Sequence, residues 1–157
     1  MTAEELNSMV KNVVADVAGV QGITLQQANR LCEAVIKKAV QIGVNAVVAI
    51  ANAAANPVCV QCMDNSYIAS YDIAFNKAYT AVALKMSTAK LNQMAAPGGS
   101  LYGIQNLCGG KIVVFGGGVP LYNKDGILIG GLGVSGGSES EDTGLAEYGS
   151  SIISSVL

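Results

Sequence analysis

The chain opens with apolar residues at helical spacing. Leu6, Val10, Val13, Val14 and Val17 follow Thr2 and Glu5, which are placed as a capping box. This pattern predicts a first helix that ends by Gly19 and Gly22. Thr24 and Gln27 repeat the start signal, and Leu25, Ala28, Leu31, Cys32, Val35, Ala39 and Ile42 form an apolar stripe that predicts a longer helix up to Gly43. The periodicity then changes. Ala46 to Ala53 is a short valine-rich run, Ala55-Asn-Pro57 interrupts it, and Val58 to Met63 resumes it, which predicts a hairpin. Ser66 is placed to cap a third helix from about Tyr67 to Met86, apolar on every side and so covered on more than one face. Ser87 and Thr88 begin a short helix that stops at Ala96, because Pro97 disfavours a helical residue before it. Lys111 to Phe115, Val119 to Tyr122 and Ile127 to Val134 read as strands, the last two joined through Asp125-Gly126. Leu145, Tyr148, Ile152, Ile153 and Val156 mark a C-terminal helix. Strands that come in groups, not in alternation with helices, predict an α+β fold, most simply with a five-stranded antiparallel sheet.

A length of 157 residues predicts one domain, 1–157, in which residues 1–23 form an N-terminal helical extension. Half of the residues are hydrophobic and 13% are charged, against about a quarter in ordinary domains, so a homo-oligomer is expected to cover part of the surface. Nine basic and eleven acidic residues, with no basic run, argue against a nucleic-acid partner. The acidic, helix-patterned start is unlike a signal peptide, and Asn52, Asn56 and Pro57 interrupt the most apolar stretch. No membrane partner and a cytoplasmic location are the corresponding expectations. Four cysteines in such a chain are expected to be reduced thiols.

Fourteen of the nineteen glycines lie between Gly98 and Gly137. Gly131-Leu-Gly-Val-Ser-Gly136 has the spacing of a dinucleotide fingerprint, but no second parallel strand follows, and Glu139, Glu141 and Asp142 would repel a pyrophosphate at the next helix start. Strand bulges and close packing are the favoured reading of these glycines. Gly110-Lys111 lacks the rest of a Walker motif. Cys59-Val-Gln-Cys62 sits in a strand, where residues three apart face opposite ways, so structural thiols are expected and no metal site. The chain has no histidine, which excludes imidazole catalysis and imidazole ligation. Lys77 is the titratable residue of most interest. It shares a helical stripe with Ile73, Ala74, Ala81 and Leu84, where an ammonium needs a partner such as a ligand carboxylate, or a route to solvent or a neighbouring subunit.

Asp72-Ile-Ala-Phe-Asn-Lys77-Ala-Tyr-Thr80-Ala81, Pro97-Gly98, Phe115-Gly-Gly-Gly-Val-Pro-Leu121 and Ile129-Gly-Gly-Leu-Gly-Val-Ser-Gly136 with Asp142 occur in that order. Together they resemble the GlcG/HbpS family, which includes the C-terminal domain of PduO-type proteins and carries a haem-degrading label. The resemblance runs from about Thr24 to the end. It implies a profilin-like fold with a five-stranded antiparallel sheet flanked by helices, a homo-oligomer, and haem binding in some members. Other members belong to glycolate, diol or glycerol utilisation systems. It points to Lys77, Gly117, Gly118, Val119 and Pro120 as ligand-binding positions and carries over no iron ligand. Without histidine, Tyr, Cys, Met or Lys remain as axial donors. The expected function is an oligomeric accessory protein that binds haem, a small organic acid or a diol in a glycine-rich pocket. The alternative is an enzyme that degrades haem or acts on a small hydroxy acid or diol. Binding is preferred because no evident nucleophile is paired with a base.

Overall fold

The computed structural model describes residues 2–17 and 22–157. Helix α1 spans Ala3–Val17 and opens with the expected capping box. Glu5 N–H donates to Thr2 Oγ1 at 3.1 Å, and the Thr2 backbone N donates to Glu5 Oε2 at 2.7 Å. The predicted stop at Gly19 lies outside the described residues. Helix α2, Leu25–Ile42, is capped reciprocally by Thr24 and Gln27 and ends on Gly43 in the left-handed conformation. Its stripe of Ala28, Leu31, Cys32, Val35 and Ala39 is buried.

Strands β1 (Val47–Asn52) and β2 (Pro57–Cys62) form the antiparallel hairpin. The Asn52 side-chain oxygen closes its turn by accepting from the N–H groups of Ala54 and Asn56. Helix α3 (Ser70–Leu84) starts four residues after Ser66. Ser66 therefore caps nothing, and a turn through Tyr67 and Ile68 leads into the helix. Helix α4 (Thr88–Ala95) has Ser87 as its N-cap. Strands β3 (Gly118–Tyr122) and β4 (Leu128–Ser135) are joined by a turn that Asn123 closes, accepting from the N–H groups of Asp125 and Ile127. The C-terminal helix is divided at Ile152 into α5 (Glu139–Ser151) and α6 (Ile153–Val156).

Among the described residues the sheet has four antiparallel strands in the order β2-β1-β4-β3, not the five expected. The segment from Lys111 to Phe115 is apolar enough for a strand but pairs with none. Side chains of the neighbouring helices take its backbone groups instead. Val113 N–H donates to Thr80 Oγ1 at 3.0 Å, and Asn92 Nδ2 donates to the Val114 carbonyl at 2.8 Å.

Helices α2 and α5 cover one face of the sheet, where Leu31, Val35 and Leu145 pack on Val48, Ile50, Leu121, Leu132 and Val134 in the main core. Helix α3 lies on the other face, directly over β4 and β1. Its contact surface is Ala74, Ala78 and Ala81, all fully buried, and the sheet answers with glycines. A Cβ on Gly131 would stand 2.6 Å from the Ala78 carbonyl oxygen, and one on Gly133 would collide with the Ala74 carbonyl. Gly131 and Gly133 are thus the bed of one helix. No described helix is long and apolar enough to cross a membrane.

Candidate functional site

The close seating of α3 carries Lys77 into the interior, where it is fully buried. Its ammonium donates to Asp142 Oδ2 at 2.9 Å and to the Val134 carbonyl at 2.8 Å, and it lies 4.9 Å from the centroid of the Phe115 ring. Asp142 comes from the first turn of α5, and its other oxygen accepts from Gly137 N–H at 2.9 Å. The partner that the apolar stripe requires is therefore this carboxylate. Burial pushes the Lys77 ammonium below its usual 10.5, and the bond to Asp142 opposes that shift less strongly.

The glycine segment before β3 wraps this pair. Gly117 has φ +112°, and a Cβ on it would stand 2.7 Å from Lys77 Nζ and 2.9 Å from Asp142 Cβ. Gly116 N–H donates to Glu139 Oε1 at 2.8 Å, and Gly118 N–H to Thr88 Oγ1 at 2.8 Å. Of the positions expected at the site, Lys77, Gly117 and Gly118 come together. Val119 belongs to the main core on the far face of the sheet, and Pro120 is half-buried further along β3.

Outside the ion pair lies a cleft of about 370 Å³, whose walls include Tyr67, Ser70, Ile73, Phe115, Ser135 and Glu139. Phe115 forms one wall with its back against the buried Lys77 ammonium, a cation–π contact. Ser135 Oγ donates to Ser70 Oγ at 3.1 Å, and both residues are buried on the wall of the cleft. A more polar cleft of about 510 Å³ shares Tyr67, Gly136 and Gly137 and continues to Asn45, Asn65 and Glu141. The sequence singled out Lys77 but not Tyr67, Ser70 or Ser135, because nothing in their local spacing marks them.

The fingerprint-like glycines do not form a phosphate cradle. Gly131 and Gly133 press on α3, and the start of α5 is occupied by its own acids. Ser138 N–H donates to Glu141 Oε2 at 2.7 Å, and Gly137 N–H donates to Asp142. Cys59 packs against the core while Cys62 is exposed, and no described group of histidine, cysteine and carboxylate side chains is arranged for a metal ion. Burial beside Cys59 pushes the Cys32 thiol well up, which keeps it protonated at neutral pH.

The family model described as "Haem degrading protein HbpS-like" matches residues 23–151. This chain belongs to the HbpS-like family. It is 42% identical over 125 residues to an uncharacterized 15.0 kDa protein in the dhaT-dhaS intergenic region of Citrobacter freundii, covering 80% of this chain and 87% of that protein. It is 39% identical over 125 residues to the corrinoid adenosyltransferase PduO of Salmonella typhimurium, covering 80% of this chain but 37% of the length of PduO. Among solved structures it is similar to PduOC in a complex with haem, at 38% identity and a TM-score of 0.79 over 83% of this chain and 94% of that one.

In this HbpS-like chain the cleft suits haem in one respect and not in another. Phe115, Ile73 and Tyr67 give a flat macrocycle an apolar, partly aromatic wall. The chain has no imidazole to offer iron, and Tyr67, largely exposed, carries a phenolic oxygen at the rim of the cleft. Glu139 and Asp142 put negative charge on the wall, and the single cation behind it, Lys77, is already paired.

Proposed function

We propose that this HbpS-like chain is an oligomeric, non-catalytic binding module that takes a flat, largely apolar ligand in the cleft between Tyr67, Ile73 and Phe115, with haem as the first candidate. The observation that carries this reading is the Phe115 wall, backed by a buried ion pair and facing an apolar cleft. A solved relative that binds haem supports it. The Lys77–Asp142 pair braces the glycine segment Gly117–Gly118, with Lys77 behind the wall and Asp142 on it; Tyr67 meets the ligand from the rim. When bound, haem supplies an iron centre and a large aromatic face. Tyr67 would hold the iron and Phe115 and Ile73 the ring.

The test is a haemin titration followed by absorbance. A saturable one-to-one change in the Soret region is expected. Phe115→Ala should weaken binding about tenfold, through loss of roughly 1.5 kcal/mol of aromatic contact. Tyr67→Phe should move the band position while leaving the protein folded. A linear, non-saturating response of the wild-type chain would overturn the proposal.

The Ser70–Ser135 hydroxyl pair favours a second reading, a short neutral diol in the same cleft. The carboxylates of Glu139 and Asp142 disfavour a small organic acid there. A thermal shift produced by short diols, absent with hydroxy acids and lost in Ser70→Ala, would select this reading over haem. A charged fraction of 13% and the exposed Tyr67, Ile68 and Tyr71 beside the cleft support a homo-oligomer.

A further inference from the structure

Phe115 is carried by a segment that belongs to no helix and pairs with no strand. From Ile112 to Gly116 its backbone bonds to no other backbone group, and side chains from three helices hold it instead. Thr80 of α3 accepts from Val113 N–H at 3.0 Å, Asn92 of α4 donates from Nδ2 to the Val114 carbonyl at 2.8 Å, and Glu139 of α5 accepts from Gly116 N–H through Oε1 at 2.8 Å. Ile112 is buried, yet none of Ile112, Val113, Val114 and Phe115 joins a hydrophobic core. The place of this segment therefore depends on those side-chain bonds more than on packing.

Two of the three bonds flank Phe115 directly. A peptide unit is planar, so the Val114 carbonyl reports the plane before the Phe115 Cα and the Gly116 N–H the plane after it. Asn92 holds the first plane and Glu139 the second, and together they restrict the φ and ψ of Phe115 and the direction in which its side chain leaves the backbone. The approach to α5 is close. A Cβ on Gly116 would collide with Thr143 Oγ1 and stand 3.2 Å from Glu139 Cγ. Water could satisfy the Val114 carbonyl, whose contact with Asn92 is exposed, so what Asn92 adds is a defined position. Glu139 also lines the cleft beside Phe115, whereas Asn92 lines neither cleft.

We propose that Asn92 and Glu139 are the positioning residues of the cleft: they clamp the peptide groups on either side of Phe115 and so set where its ring stands for a bound ligand. This rests on the proposed binding of a flat ligand against Phe115. It adds a residue outside the cleft, Asn92, that acts on the ligand only through Phe115.

The experiment reads the ring and the ligand separately on the full chain. Phe75 and Phe115 are the two phenylalanines, so incorporation of para-fluorophenylalanine gives two fluorine resonances, which Phe115→Leu assigns. Asn92→Asp keeps the shape of the side chain but replaces the donor with an acceptor. It and Asn92→Ala are expected to shift or broaden the Phe115 resonance, to leave the Phe75 resonance and the thermal midpoint in place, and to weaken haemin binding about fivefold, the effect of one hydrogen bond. Glu139→Ala should move the Phe115 resonance, and Glu139→Gln, which retains an acceptor oxygen, should leave it where it is. Gln93→Ala, at an exposed neighbouring position of α4, is the control and should match wild type in every readout. An unmoved Phe115 resonance or wild-type haemin affinity in both Asn92 variants would overturn the proposal. So would movement of both resonances with a lower thermal midpoint, which marks a general loss of structure. If wild type takes up no haemin saturably, the binding reading falls, while the fluorine spectra still decide whether the clamp sets the ring.

Discussion

The ammonium of Lys77 reaches Asp142 across 65 residues of sequence, and no water-exposed surface remains on it. Removing one partner leaves the other charge buried alone, so Lys77→Met is expected to lower stability by about 3–5 kcal/mol in urea unfolding. The Lys77→Met/Asp142→Leu double variant should lose much less than the sum of the single changes, because no orphaned charge remains. The pH response has a definite sign. Burial places the native ammonium below its usual 10.5, so as pH rises the folded chain releases this proton before the unfolded chain does. Relative to the double variant, wild type therefore gains stability as pH approaches 10.5 and loses that gain as pH falls through the lowered native value. The need for a partner was legible from a lysine among Ile73, Ala74, Ala81 and Leu84. The identity of that partner was not, since it depends on how the β4–α5 turn aims Asp142 back over the sheet.

The seating of α3 on β4 depends on atoms that are absent. Gly133→Ala introduces a methyl group against the Ala74 carbonyl, which backbone cannot yield cheaply, and is expected to cost about 1–3 kcal/mol or more. Gly144→Ala, at an exposed position of α5 with no neighbour within 4 Å of the new carbon, is expected to add about 0.5–1 kcal/mol, and chemical denaturation of the two variants checks both signs. Helices α2 and α4 and the β1–β2 and β3–β4 hairpins were legible because caps and turn residues act locally. The missing fifth strand was not, because being a strand is a property of a pair. Apolar residues Ile112, Val113 and Val114 have the composition for pairing, but Thr80 and Asn92 reach their backbone first. The same holds for Ser66, which has a capping side chain but lies outside the helix.

Among the described residues the chain comprises a layered domain and one helix that adds nothing to its cores. Removing residues 2–21 is therefore expected to leave the thermal midpoint within about 2 °C of wild type, since none of the described side chains of the helix belongs to a core of the domain. A larger fall in a calorimetric scan would show that α1 supports the domain directly. By itself the sequence determined the α+β class, the order of its main helices and of four strands, most of their caps and turns, the absence of histidine and the family, because these follow from local patterning and from strings of residues in a fixed order. Only the tertiary structure decided that the sheet has four strands, that Asp142 neutralises Lys77, that Gly131 and Gly133 form the bed of a helix, and that Tyr67, Ser70, Phe115 and Ser135 share one cleft. The physical reason is common to all four. Each depends on groups far apart in sequence that packing brings within a few ångströms, and no local period or motif encodes that distance.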